Sequence, residues 1–301
     1  MHHPRFPRLV LAILLLCFLP LRAQEPGAYE KESLRVLFIG NSYTYFNNLP
    51  EMFARLAEAG HQKKIVYEMQ ARGGLSLKDH WNRTATRNAL ANEKWDYVVL
   101  QDQSTLGNNF YFEGKRRIFS DELFHTYAVD FANAIKDAGA IPVFYLTWAS
   151  KTVPENQAAL NAAYMRVTRE TKGIVSPVGI AWAEVEKEEP SINLFYRDSS
   201  HPSPAGTYLS ACVFYATLFG RSPVGLPSRL TVGPVNLYPG TPSPGKNAVL
   251  IDLPPAQARK LQQAAWDASV YVRLHGTDIP TTLPPAPAVP ATPPGEDHGR
   301  E

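Results

Sequence analysis

Five short apolar runs, separated by stretches of helical periodicity, constrain this chain more than any other feature. They read LRVLFI (34–39), KKIVYEMQ (63–70), YVVL (97–100), AIPVFYLTW (140–148) and IVSPVGIAW (174–182). Between them, residues 48–61 carry Leu49, Phe53, Leu56 and Ala57 on one helical face, with Gly60 as a stop. Further helices are predicted over about 78–94, over 120–139 with Ser120 as N-cap and Gly139 as its end, and over 154–173. Strands that are apolar on both faces and alternate with helices belong to a parallel sheet covered on both sides. The expectation is a single α/β domain, a doubly wound parallel sheet in three α/β/α layers.

Two more helices follow. Residues 204–219 place Leu209, Cys212, Val213, Ala216 and Phe219 in a stripe that ends at Gly220. After a stretch rich in Pro and Gly (221–250), read as loop, a last helix is predicted over about 254–273, with Asp252 as its cap and Leu261, Ala265, Ala268 and Val272 facing inward. The domain is therefore set at 34–275, with its core at 34–220.

The two ends read differently from the middle. A basic start, an apolar stretch from Leu9 to Leu19 and a break between Pro20 and Ala23 have the pattern of a secretory signal peptide over residues 1–23. The apolar stretch falls short of the roughly 20 residues that span a bilayer, so no stable membrane insertion is expected after cleavage. The implied location is exported, either periplasmic or extracellular. Residues 277–301 are read as a disordered tail, since Pro280 to Pro294 holds seven prolines in fifteen residues. Residues 1–23 contain Arg5, Arg8 and Arg22 and no acid, so cleavage takes Lys+Arg from 30 to 27 against 28 acids. No basic block survives, which argues against a nucleic-acid partner. Of the two cysteines only Cys212 would remain, read as a buried small hydrophobe.

In a sheet of this kind the loops after the strands gather at one edge. The chain places Gly40, Asn41 and Ser42 after the first strand, and Arg72, Gly73 and Gly74 after the second. Gln101, Asp102, Gln103 and Ser104 follow the third strand, and Asp198 and His201 precede the helix at 204–219. A serine, an Asp-x-x-His pair, glycines and amide side chains make up the inventory of serine acyl transfer. A hydroxyl is a weak nucleophile until a base takes its proton, and histidine suits that task near neutral pH. Asp198 is close enough in sequence to turn back on the His201 imidazole. Pro202 and Pro204 stiffen the loop that carries it.

At these residues the chain resembles the SGNH, or GDSL-like, serine hydrolases, whose fold is flavodoxin-like. The resemblance lies in the order and spacing of short blocks over roughly residues 34–220. FIGNS (38–42) resembles the G-D-S block with Asn41 in the aspartate position, which makes Ser42 the nucleophile and its backbone N–H one oxyanion donor. GGLSL (73–77) resembles the second block and makes the Gly74 N–H a second donor. The third block reads Gln101-Asp102-Gln103-Ser104 where the family has G-x-N-D. The resemblance puts Gln103 in the place of the side-chain donor, with Gln101 as second choice. Asp198-Ser199-Ser200-His201 matches the D-x-x-H block, with His201 as base and Asp198 as its orienter. Asn41, Tyr43, Gly73, His80 and Trp148 are read as lining the substrate cleft.

Together with the signal-peptide pattern, the resemblance implies an exported serine esterase that removes a small acyl group, such as acetyl, from a small-molecule or carbohydrate ester, and no metal or cofactor is expected. An α/β-hydrolase would need G-x-S-x-G, which the chain lacks. A phosphate or nucleotide binder would want a richer Gly/Ser/Thr nest in the first loop. The remaining alternative is an inactive glycan-binding module on the same fold.

Overall fold

The computed structural model describes residues 33–108, 110–232 and 248–276. The expected signal peptide (1–23) and tail (277–301) lie outside the described residues. The chain enters on β1 (Ser33–Gly40), turns through α1 (Ser42–Tyr45) into α2 (Leu49–Ala59), and returns on β2 (Lys64–Ala71). Two short helices, α3 (Leu77–Trp81) and α4 (Thr84–Asn92), lead to β3 (Tyr97–Leu100). A small hairpin, β4 (Tyr111–Phe112) and β5 (Lys115–Arg116), precedes α5 (Glu122–Asp137) and β6 (Ile141–Tyr145). Next come α6 (Asn156–Thr171), β7 (Ile174–Ser176), α7 (Val178–Glu188) and α8 (Pro204–Phe219). A second hairpin, β8 (Arg229–Val232) with β9 (Ala248–Asp252), leads into α9 (Pro255–His275).

The five-stranded sheet has the order β2-β1-β3-β6-β7, and every pairing in it is parallel. The chain steps from β1 to β2 on one side, then crosses back to lay β3 on the other side of β1. Open α/β sheets bind ligands at such a reversal, outside the carboxyl ends of the strands. Here that point lies after Gly40 and Leu100.

Strand alternation divides the core in two. Val36, Phe38, Val99, Val143 and Tyr145 face a layer with Phe53, Leu56, Leu209, Phe214 and Leu261. Leu37, Ile39, Val98, Leu100 and Phe144 face the other layer with Phe124, Phe131, Ile135, Leu160 and Tyr164. The central residues Val36–Ile39 have no exposure, so β1 is anchored on both faces where the site begins. This is the expected three-layer, doubly wound architecture.

Several local expectations need correction. The single helix expected near 78–94 is two, because the Asn82 N–H closes α3 onto the carbonyls of Lys78 and His80 and Arg83 is extended. The run 174–182 is a strand only to Ser176. Pro177 has no N–H to continue the ladder, and Val178 opens α7. Residues 221–250 are not all loop, since β8 and the start of β9 fall within them. Asp252 ends β9, and Pro254 is the N-cap of α9. The β4–β5 hairpin leaves no mark in the sequence, because two-residue strands carry no periodicity.

Candidate active site

β1 delivers its last residue into a crowded corner. A Cβ on Gly40 would lie 2.4 Å from Thr44 Oγ1 and 2.5 Å from Gln101 Oε1, so only glycine fits without rearrangement. Asn41 then caps α1, its side-chain oxygen accepting the Tyr43 N–H at 3.1 Å and its amide donating to the Leu75 carbonyl at 3.0 Å. Ser42 is the first residue of that one-turn helix and is 8% exposed.

On the other side of the cleft, the loop ahead of α8 folds around one carboxylate. Asp198 Oδ1 accepts the backbone N–H groups of Ser200 (3.0 Å) and His201 (2.9 Å), while Oδ2 accepts the His201 Nδ1–H at 2.5 Å. Partial burial pushes the Asp198 carboxyl up, but those three hydrogen bonds outweigh it and hold the group below the usual carboxylate range. With Nδ1 donating, His201 Nε2 carries the lone pair and accepts the Ser42 hydroxyl at 2.8 Å. Phe46 stacks on the imidazole with ring centroids 4.3 Å apart, which restricts its rotation. The structure thus brings Ser42, His201 and Asp198 into one hydrogen-bonded chain.

Gln101 is fully buried and its amide is fully engaged. Its oxygen accepts the Asn41 N–H (2.8 Å) and the Thr44 hydroxyl (2.9 Å); its nitrogen donates to Asn41 Oδ1 (2.9 Å) and to the Asp102 carbonyl. It has no donor left for an oxyanion, so the second choice is overturned and Gln101 is the clamp on the first turn. Gln103 faces the cleft, and its amide nitrogen donates to the Gly74 carbonyl. One N–H of that amide remains. Gly74 has φ +72°, a conformation natural to glycine, and no Cβ contact within 4 Å. Among the described residues, the backbone N–H groups of Ser42 and Gly74 have no hydrogen-bond acceptor.

Asp102, unassigned from the sequence, supports this arrangement from below. Its carboxylate accepts the Gln103 N–H at 2.6 Å, and its own N–H donates to the Tyr164 hydroxyl. Burial pushes this carboxyl up to about 7, against the opposing hydrogen bonds from Gln103 and Leu77. No motif marks such a group, because its role depends on burial.

The cleft is a cavity of about 770 Å³ lined by Asn41, Ser42, Tyr43, Gly74, Gln103 and His201, with hydroxyl side chains and the β4–β5 hairpin beyond them. Three expected lining residues lie elsewhere. His80 is buried beneath the first turn, where its Nε2–H donates to the Gly40 carbonyl at 2.7 Å and Nδ1 accepts from Thr86 at 3.0 Å. Burial pushes its imidazole pKa down, which suits this neutral role. Trp148 is a buried wall, stacked between Tyr43 and Trp182, with its indole N–H on the Ser200 carbonyl at 2.9 Å. Gly73 is exposed outside the cavity and faces the Tyr45 hydroxyl. Tyr43 does line the cavity, and its hydroxyl bonds Ser200 Oγ at 2.7 Å, tying the helix of Ser42 to the loop of His201. Among the described residues no group of three His, Cys, Asp or Glu side chains is placed to hold a metal ion, and no helix is long and apolar enough to cross a membrane.

No protein-family model and no curated protein matches this chain. Solved structures do. A candidate SGNH hydrolase from Slackia heliotrinireducens is 28% identical over 62% of this chain and 99% of its own, with a TM-score of 0.50. A DUF4886 family protein from Bacteroides uniformis is 20% identical over 79% of this chain and 95% of its own, at TM-score 0.54. A mutant of Axe2, an acetyl-xylooligosaccharide esterase from Geobacillus stearothermophilus, is 17% identical over 61% of this chain and 93% of its own, at TM-score 0.50. The fold is that of the SGNH hydrolases.

Proposed function

We propose that the protein is a serine esterase acting through Ser42, His201 and Asp198. The observation that carries this reading is the 2.8 Å bond from the Ser42 hydroxyl to His201 Nε2, whose Nδ1–H meets Asp198 at 2.5 Å. Ser42 Oγ attacks the ester carbonyl while its proton moves to Nε2, leaving an oxyanion on the former carbonyl oxygen. The N–H groups of Ser42 and Gly74 and the remaining amide N–H of Gln103 are the donors assigned to that oxyanion. Collapse expels the alcohol, which takes the proton from Nε2 and leaves an acyl group on Ser42. Water, deprotonated by the same nitrogen, then releases the acid and restores the serine.

Within this reading the substrate is a short acyl ester of a polyhydroxylated alcohol. Ser104, Thr105, Ser150, Thr152 and Asn156 along the cavity offer partners for sugar hydroxyls, and one solved structure of the same fold is that of a mutant acetyl-xylooligosaccharide esterase. Export through residues 1–23 belongs to the proposal, and N-terminal sequencing of the mature protein tests it. The central test is labelling by a fluorophosphonate probe together with hydrolysis of 4-nitrophenyl acetate and acetylated xylo-oligosaccharides. Ser42→Ala is expected to abolish labelling and lower turnover by several orders of magnitude with Tm nearly unchanged. A wild-type protein that neither labels nor hydrolyses would be the glycan-binding module instead.

A further inference from the structure

The β4–β5 hairpin closes one side of the cavity with Tyr111, Gly114, Lys115 and Arg116. Its turn is built by Glu113 (φ +51°) and Gly114 (φ +71°), the left-handed pair that a two-residue hairpin turn requires. The hairpin is pinned to the body. The Arg116 carbonyl accepts Asn156 Nδ2 at 3.2 Å, Arg117 is ion-paired with Glu155, and the Arg117 N–H donates to Phe110. Arg116 lies over the Tyr111 ring and donates through Nε to its hydroxyl at 2.7 Å, which directs the guanidinium without neutralising it.

Among the described residues, neither Lys115 nor Arg116 has a carboxylate in ion-pairing reach, and no Asp or Glu lines the cavity. Elsewhere on the surface, Arg35, Arg55, Arg166 and Arg229 each have one. Two unneutralised cations on the wall of an otherwise uncharged, hydroxyl-lined cleft raise the local concentration of anions and orient them.

Resting on the esterase reading, we infer that Lys115 and Arg116 form a subsite for an anionic group on the ester substrate. The substrate is then an acidic ester, with the anion carried either by the alcohol, as on an acidic sugar, or by the acyl chain.

Two matched substrate pairs separate these sources. 4-Acetoxybenzoate against its methyl ester places the charge on the alcohol side. Mono-4-nitrophenyl succinate against 4-nitrophenyl butyrate places it on the acyl side. The quantity read is the anionic-to-neutral ratio of kcat/KM, and each ester's intrinsic reactivity cancels when variant is divided by wild type. Lys115→Ala and Arg116→Ala are each expected to lower the ratio about two- to fivefold in one of the pairs, the effect of losing one exposed charge contact. Lys115→Arg should largely restore it, and added NaCl should lower the wild-type ratio in the same direction. A ratio that neither variants nor salt move in either pair, from an enzyme that labels at Ser42 and cleaves the neutral esters, overturns the anionic subsite and leaves the esterase standing. If the protein neither labels nor hydrolyses, calorimetry with a galacturonate oligosaccharide against a neutral xylo-oligosaccharide decides. Salt-sensitive preference for the acidic sugar, lost in Lys115→Ala, supports the subsite, and absence of preference overturns it.

Discussion

Gln101 and Gln103 are separated by a single residue, yet one amide is a buried clamp and the other faces the cleft. Gln101→Ala would leave the Asn41 N–H and Thr44 without their partner inside the protein, at roughly 1–3 kcal/mol for each unsatisfied buried group. That variant is expected to lose Tm first and activity as a consequence. Gln103→Ala, on the cavity wall, is expected to keep Tm and lower kcat about 10²–10³-fold with KM little changed, the cost of one oxyanion donor. Thermal melts alongside kinetics check both, and the reverse pattern would exchange their roles. Asp102 supplies a different signature. Its carboxyl is held up to about 7, so between the ordinary carboxylate value near 3.9 and that point the unfolded chain is ionised while the folded one keeps its proton. The unfolded state then binds fewer protons, and Asp102 makes stability fall as pH rises through that window, by about 1.4 kcal/mol per unit at most. Denaturant melts from pH 4 to 8 should show Asp102→Asn gaining stability on the wild type as pH rises through that window, whatever the variant's constant offset. Asp198 acts with the opposite sign. Held below its usual range, it contributes stability that is present above the ordinary carboxylate value and is lost as pH falls through the lowered one.

At the scale of elements, the junction of β1 and α1 joins fold to chemistry. Three groups converge on Gly40: the Gln101 amide and Thr44 hydroxyl where a Cβ would sit, and the His80 ring on its carbonyl. Gly40→Ala must displace a buried, hydrogen-bonded pair, which costs about 1–3 kcal/mol as overpacking. It should also shift Ser42 away from His201, so kcat is expected to fall more than stability alone explains. Measuring kcat well below Tm distinguishes that shift from partial unfolding. The His201 loop is held as firmly. The Trp148 indole and Tyr43 hydroxyl grip Ser200, and Ser150 Oγ donates to the Ser199 carbonyl at 3.0 Å. Ser199 has φ +63°, a left-handed turn that lets Asp198 reach back to His201.

For the whole molecule, α9 is part of the body although it follows the sheet by many residues. Ala258, Leu261 and Ala265 are buried against the layer that includes α8, and the Gln262 amide donates to the Tyr208 hydroxyl (2.7 Å) and the Leu226 carbonyl (2.8 Å). A chain ending at residue 247 would lose these along with β9, several kcal/mol against the 5–15 kcal/mol that usually separates folded from unfolded domains. It is expected to be insoluble or molten, whereas one ending at Gly276 should melt and turn over substrate like the full chain. Circular dichroism melts of the two truncations decide this. A folded, active fragment ending at 247 would show that α9 is dispensable.

Periodicity alone determined the layer order, the parallel sheet and the approximate span of most long elements, α7 excepted, because burying strands on both faces leaves apolar runs that mark such a sheet. Short blocks at strand ends were likewise enough to nominate Ser42, Asp198 and His201, since residue type and sheet-edge position are both written locally. What the chain could not disclose by itself depends on which distant groups meet. The amide of Gln101 turns inward because Asn41 and Thr44, some sixty residues earlier, leave two donors for it. His80 and Trp148 look like cleft residues in sequence and are buried supports in the fold. The hairpin that carries Lys115 and Arg116 is too short to have a period, and only its attachment through Asn156 and Glu155 places its charges on the cavity wall. Hydrogen-bond capacity is a property of each side chain, but its use is set by whatever the folded chain brings within 3 Å.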